Sequence, residues 1–170
     1  QKGVTATIEH LLYDSRTVTF PAASLFFALH SQRQDGHQYI LDAYQKGVRY
    51  FIVERDVPLK ELEDANVLQV PNSLKALQQL ALHHRRQFTI PVIGITGSNG
   101  KTVVKEWLYQ LLHTDYKIAR SPKSYNSQIG VPLSVWQLNP EHTLAIFEAG
   151  ISYSGEMQAL AQIIQPSIGV

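Results

Sequence analysis

Residues 94–102 read Gly-Ile-Thr-Gly-Ser-Asn-Gly-Lys-Thr and stand between an apolar run, 90–95, and an amphipathic one, 101–112. A bound polyphosphate needs several backbone N–H groups turned inward, and only a turn poor in Cβ atoms lets the backbone come that close. Gly97 and Gly100 supply such a turn, and a helix opening at Lys101 adds the positive end of its dipole. Lys101 can direct a point charge at the β- and γ-phosphates, and the Thr102 hydroxyl suits Mg²⁺. The strict spacing G-x-x-x-x-G-K-[ST] is not met, because Ile95 stands at its first glycine and Gly94 is displaced by one. The strand before the loop, the helix after it and the Lys-Thr pair still make this a nucleoside triphosphate site. Its cradle is Gly97, Ser98, Asn99, Gly100, Lys101 and Thr102.

The rest of the chain alternates in the same way. Residues 8–13, 24–29, 49–54 and 67–70 read as strands. Gly36-His37 opens a helix with Ile40, Ala43 and Tyr44 on one face and Gly47 as its stop. Pro71-Asn72-Ser73 caps another, with Leu74, Leu77, Leu80 and Ala81 inward. That helix ends in His83-His84-Arg85-Arg86, read as solvated side chains that complement the dipole rather than as a phosphate or RNA site. The helix after the loop is expected to bury Val104, Trp107, Leu108 and Leu111. Residues 116–119 and 144–147 are further strands, Ser154 caps a helix with Met157, Leu160 and Ile164 inward, and Ile168 begins a last strand. The class is therefore α/β, with a parallel sheet from residue 90 onward and a domain boundary near 87–90.

Composition narrows the function classes. Lysine plus arginine number 15 and aspartate plus glutamate 14. They split ten against nine before residue 90 and five against five after it, so neither half offers a nucleic-acid surface. There is no cysteine, which excludes disulfides, thiolate metal sites and a thiol nucleophile. No apolar run is long enough to span a bilayer, and no secretory pattern opens the chain; a cytoplasmic protein is expected. The chain opens at Gln1 and closes on an apolar run, 167–170, that reads as a strand just beginning. It is expected to be trimmed in front and truncated behind.

One acid fits the loop. The apolar run 144–147 delivers Glu148 to the carboxyl end of its strand, where ligands of open parallel sheets sit. A carboxylate there reads as a Mg²⁺ ligand beside Thr102, the alternative being a solvated strand-end glutamate. Arg16 has a guanidinium fork suited to a pyrophosphate, the alternative being an ion pair with Asp14. His37 is either a nucleotide contact or a helix-start residue.

The run GITGSNGKT followed by Val104-Lys105-Glu106-Trp107 resembles the ATP site of the Mur ligases. Three more blocks agree in order: Asp14-Ser15-Arg16 with Leu25-Phe26-Phe27-Ala28-Leu29 and Asp35-Gly36-His37; Tyr125-Asn126-Ser127-Gln128-Ile129-Gly130-Val131-Pro132-Leu133; and Phe147-Glu148-Ala149-Gly150 with Gly155-Glu156. The resemblance implies a small N-terminal α/β UDP-substrate domain, residues 1–88, followed by part of a P-loop parallel-sheet ATPase domain, 89–170, with the C-terminal domain absent. It implies an ATP- and Mg²⁺-dependent amide ligase of peptidoglycan synthesis, nearest to members that add D-Ala-D-Ala to UDP-N-acetylmuramoyl-tripeptide through an acyl phosphate. Lys101 and Asn126 would be catalytic, with Asn126 near the metal and substrate phosphates. Ser15 and Arg16 would serve the uridine diphosphate part, with His37 a candidate substrate contact beside them, and Thr102 and Glu148 the metal. Some family members carry a fused C-terminal alanine racemase domain, and this piece alone is expected to be inactive. The pattern departs from the family at Ser124 and Ser127, often asparagines, and at Val103, often a second threonine. The competing readings are another Mur ligase, a folylpolyglutamate synthetase, and a regulatory nucleotide switch; the UDP-type block in front of the loop disfavours the last two.

Overall fold

The computed structural model describes residues 6–31, 34–151 and 155–170. The chain divides into two compact units, Gln1–Ala76 and Leu77–Val170. The division falls inside a helix, earlier than the boundary expected from the sequence.

In the first unit, β1 (His10–Leu12), β2 (Ser24–Phe27), β3 (Tyr50–Val53) and β4 (Asn66–Gln69) form a sheet in that order, every pair parallel. Parallel neighbours need crossovers. The one between β2 and β3 is a 3₁₀ turn, Gly36–Tyr39, running into α1 (Ile40–Gln45). It opens as 3₁₀ because the Asp35 carboxylate accepts from the His37 backbone N–H at 3.0 Å. Gly36 sits so tightly that a Cβ would lie 2.7 Å from the Leu29 backbone. Gly47, the expected stop, has φ +98°. The core gathers Phe26, Ala28, Ile40, Ala43, Val48, Phe51, Val53 and Leu62.

α2 (Ser73–Arg85) follows β4, and the Asn72 side chain accepts from the Lys75 N–H at 2.7 Å. The second unit holds β5 (Val92–Ile95), α3 (Lys101–Leu112), β6 (Ile118–Arg120), α4 (Gly130–Val135), β7 (Leu144–Glu148), α5 (Glu156–Ile164) and β8 (Ile168–Gly169). Its strands lie in the order β6-β7-β5-β8, all parallel. Every residue of β7 is buried, as a strand covered on both faces requires. Leu144 and Ile146 face Val104, Leu108 and Leu112 of α3, while Ala145 and Phe147 join Val131, Val135 and Leu160 on the other face.

Two expectations are corrected. On α3, Trp107 and Leu111 are 63% and 73% exposed, and the stripe packed on the sheet is the half-buried Val104, Leu108 and Leu112, with Lys105 fully inside. The helix is rotated because β7 and the chain after β6 bring polar groups to meet the Lys105 ammonium. In the run His83–Arg86, Arg85 is 6% exposed and donates to the carbonyls of Ile164 at 2.8 Å and Phe88 at 2.6 Å. His84 is half-buried between the Phe88 and Trp136 rings and reaches the Leu138 carbonyl at 2.9 Å. Both side chains lie within the second unit, where they tie the end of α2 to α5 and to the chain after α4. α4, with a glycine and a proline, is not legible as a helix in sequence; burial of nearly all its residues holds it, and Pro132 falls in the first turn, where no backbone donor is needed. Ser154 lies outside the described residues.

Candidate functional site

Register places the loop and the acid together. In the β5–β7 ladder Ile95 stands opposite Glu148, so the chain leaves β5 for the loop beside the place where Glu148 ends its strand. Residues 96–100 are exposed, and Gly97 and Gly100 have φ of +133° and +81°. Gly100 is the residue that caps α3, in the left-handed region, where any side chain would strain the backbone. The Lys101 ammonium folds back over the loop and donates to the Gly97 carbonyl at 2.6 Å.

The Thr102 hydroxyl donates to Glu148 Oε2 at 3.0 Å and lies 3.2 Å from the Ser124 hydroxyl. Glu148 is fully buried, the opposite of a solvated strand-end acid. Its backbone N–H donates to the Ser121 hydroxyl at 3.1 Å. Oε1 lies 2.9 Å from the Lys105 ammonium, an ion pair whose alignment leaves that oxygen with no directed hydrogen bond. Lys105 is also fully buried; it donates to the Ser121 carbonyl at 2.8 Å and to the Lys123 carbonyl.

Asn126 belongs to the same mouth. Its carbonyl accepts from the Gly150 N–H at 2.8 Å, and its side chain packs on Gly150, where a Cβ would come within 3.0 Å of Asn126 Cγ and Oδ1. The 125–130 turn is closed by the Gly130 N–H donating to the Ser127 hydroxyl at 3.1 Å, with Gly130 packed on the Tyr125 backbone. Ser127 therefore holds the turn through its hydroxyl, whereas the Ser124 hydroxyl meets that of Thr102.

With Oε1 held by the Lys105 ammonium, oxygen donors from the Thr102 hydroxyl and Glu148 Oε2 suit a hard divalent cation. Phosphate oxygens and water would complete its shell, since among the described residues no group of three or more His, Asp, Glu or Cys gathers to hold a metal.

The structure locates the remaining candidates in the first unit. Asp14 caps a 3₁₀ turn, Ser15–Thr17, by accepting from the Arg16 backbone N–H, and it pairs with the Arg16 guanidinium at 2.7 Å. The Arg16 side chain remains 83% exposed. Ser15 is buried, and its carbonyl accepts from Lys46 at 3.1 Å. His37 uses both ring nitrogens internally: Nδ1 meets Asp35 at 2.7 Å, and Nε2 accepts from the Glu54 N–H at 3.0 Å. That pattern assigns the proton to Nδ1. Asp35 is held at a pKa of about 2: burial pushes it up, but the His37 backbone N–H, the His37 ring and the Arg55 guanidinium outweigh that.

Sequence reasoning missed Lys105 and Ser124 as site residues. A lysine in an amphipathic helix reads as surface, and its only signal was the interruption it makes in the apolar stripe.

Residues 7–85 match the Mur ligase family, catalytic domain, and residues 95–170 the Mur ligase middle domain. The chain is similar to UDP-N-acetylmuramoyl-tripeptide–D-alanyl-D-alanine ligase of Bacillus subtilis, 37% identical over 86% of this chain and 32% of the relative. The ligase of that name from Synechocystis is 35% identical over 96% of this chain and 35% of the relative. Among solved structures, MurF from Acinetobacter baumannii superposes with a TM-score of 0.86 at 31% identity, over 95% of this chain and 35% of that one. MurF from Thermotoga maritima, solved in complex with ADP, gives 0.79 at 29% identity, over 93% of this chain and 36% of that one. The chain thus spans about a third of the length of its relatives. With two matched segments, a phosphate-type loop and a buried acid in register beside it, the chain belongs to the Mur ligase family.

Proposed function

We propose that this chain supplies the UDP-substrate and ATP-binding parts of a ligase that joins D-Ala-D-Ala to UDP-N-acetylmuramoyl-tripeptide in the cytoplasm. The observation that carries the reading is the 3.0 Å contact of Thr102 with Glu148 beneath an open amide loop topped by Lys101. In this chemistry the peptide carboxylate is activated by ATP as an acyl phosphate, and the incoming amine then displaces phosphate. A bound Mg²⁺ would neutralise polyphosphate charge.

The residues of this chain have separate tasks. The amides of residues 97–102 bind phosphate oxygens, and Lys101 exchanges the Gly97 carbonyl for the developing negative charge, which such donors stabilise most where water is sparse. Thr102 and Glu148 would hold the metal, and Asn126 borders the substrate phosphates. Arg16 presents an exposed guanidinium to the uridine diphosphate end. Ser15 and His37 hold the surrounding turns, His37 by fixing Asp35 and Glu54.

Calorimetric titration with ADP and Mg²⁺ tests the loop. Lys101→Ala removes a charge-assisted contact of about 1.5–3 kcal/mol, so ADP affinity falls roughly 10–100-fold while UDP-substrate binding is unchanged. Equal ADP affinity in the variant would refute the placement of Lys101.

A further inference from the structure

Lys105 is a buried cation that the proposed chemistry leaves without a task. Two carboxylates are in its reach. Glu106 Oε1 lies at 3.3 Å, but that side chain is part-exposed and its other oxygen is taken by Arg120, which stacks on the Tyr109 ring. Glu148 Oε1 lies at 2.9 Å, and neither Lys105 nor Glu148 has any exposed side-chain surface. A carboxylate removed from water must be paired, so the charge of Lys105 is committed to Glu148. The ammonium cannot swing away, because the Ser121 and Lys123 carbonyls hold it from the other side.

The consequence concerns metal loading. Around Glu148 the chain offers one carboxylate, already neutralised, and neutral hydroxyls from Thr102 and Ser124. A divalent cation brought there alone meets no net negative charge and too few oxygen ligands. We propose that Lys105 is a positioning residue that makes metal binding conditional on polyphosphate: it holds Oε1, presents Oε2 beside Thr102, and cancels the charge that would otherwise attract a bare cation. The nucleotide's own negative charge then decides when the metal enters. This rests on Glu148 being the metal carboxylate.

Mn²⁺ serves as the probe, its binding read by paramagnetic resonance with and without ADP at mildly alkaline pH. The unaltered chain takes up Mn²⁺ with ADP and scarcely any without it, and Glu148→Gln abolishes the ADP-dependent uptake. Lys105→Met binds bare Mn²⁺ more tightly by on the order of tenfold or more, because removing one charge a few ångströms from a divalent ion is worth at least that much. Lys105→Gln, which keeps a donor for the Ser121 carbonyl, does the same, and adding Glu148→Gln erases the gain. A lysine that served packing alone would give no gain in bare-metal affinity; unchanged or weaker binding in both variants overturns the proposal. Should both variants be unfolded without metal, recovery of helical circular dichroism on adding Mn²⁺ is the same gain, and no recovery overturns it. Persistence of ADP-dependent uptake in Glu148→Gln would instead sink the metal assignment itself.

Discussion

Asp35 and Lys105 show how single side chains acquire roles from what surrounds them. Asp35 caps a 3₁₀ turn, meets the His37 ring and pairs with Arg55, so its carboxylate form is favoured in the folded unit despite burial. A carboxyl whose folded pKa of about 2 lies below its unfolded value contributes stability that is complete above the unfolded pKa. That contribution is lost as pH falls toward the folded value. Urea unfolding of the chain and of Asp35→Asn should differ by a constant amount at neutral pH. The difference should shrink below about pH 4 and be lost as pH falls through about 2. A difference that persisted unchanged through that window would mean the His37 and Arg55 contacts are not what holds Asp35.

Among the elements, α3 has its packing set by one buried charge and its partners. An amphipathic pattern with Val104, Trp107, Leu108 and Leu111 inward would have placed Lys105 near solvent. The helix instead turns Val103, Trp107 and Leu111 outward, each more than half exposed, and sends Lys105 to Glu148. Burying a charge is tolerable only with its partners present, and here β7 and the chain after β6 supply an acid and two carbonyls. Trp107→Gln should therefore change unfolding stability by no more than about 0.5 kcal/mol. Leu160→Ala in α5, at a position with no exposure, should cost about 2–5 kcal/mol. Comparable losses from the two would restore the inward Trp107. The end of α2 follows the same logic: Arg85 faces the α5 carboxyl terminus, where the Ile164 carbonyl needs a donor, and so is buried where the sequence reads a solvated tail.

For the whole molecule, each unit is a four-stranded parallel sheet with its own core. The candidate polyphosphate loop and its candidate metal acid belong to the second unit, and the candidate uridine diphosphate residues to the first. The proposed ligation would also need a site for the incoming amine, and the chain spans about a third of the length of its relatives. The 170-residue chain by itself should therefore release no phosphate that depends on both UDP-N-acetylmuramoyl-tripeptide and D-Ala-D-Ala. Release requiring both substrates would show that these two units are a complete ligase.

The loop, its flanking strand and α3's span were legible in the residues themselves, because a phosphate cradle is built from consecutive backbone groups and a helix start follows directly from them. Glu148 was legible as the end of an apolar strand, and α/β alternation as a change of hydrophobic period. The burial of Lys105 and Arg85, the turn that seats Asn126 on Gly150, and the helix α4 were decided by tertiary structure alone. Each depends on a partner distant in sequence, and a one-dimensional pattern records how polar a side chain is without recording which distant group will meet it.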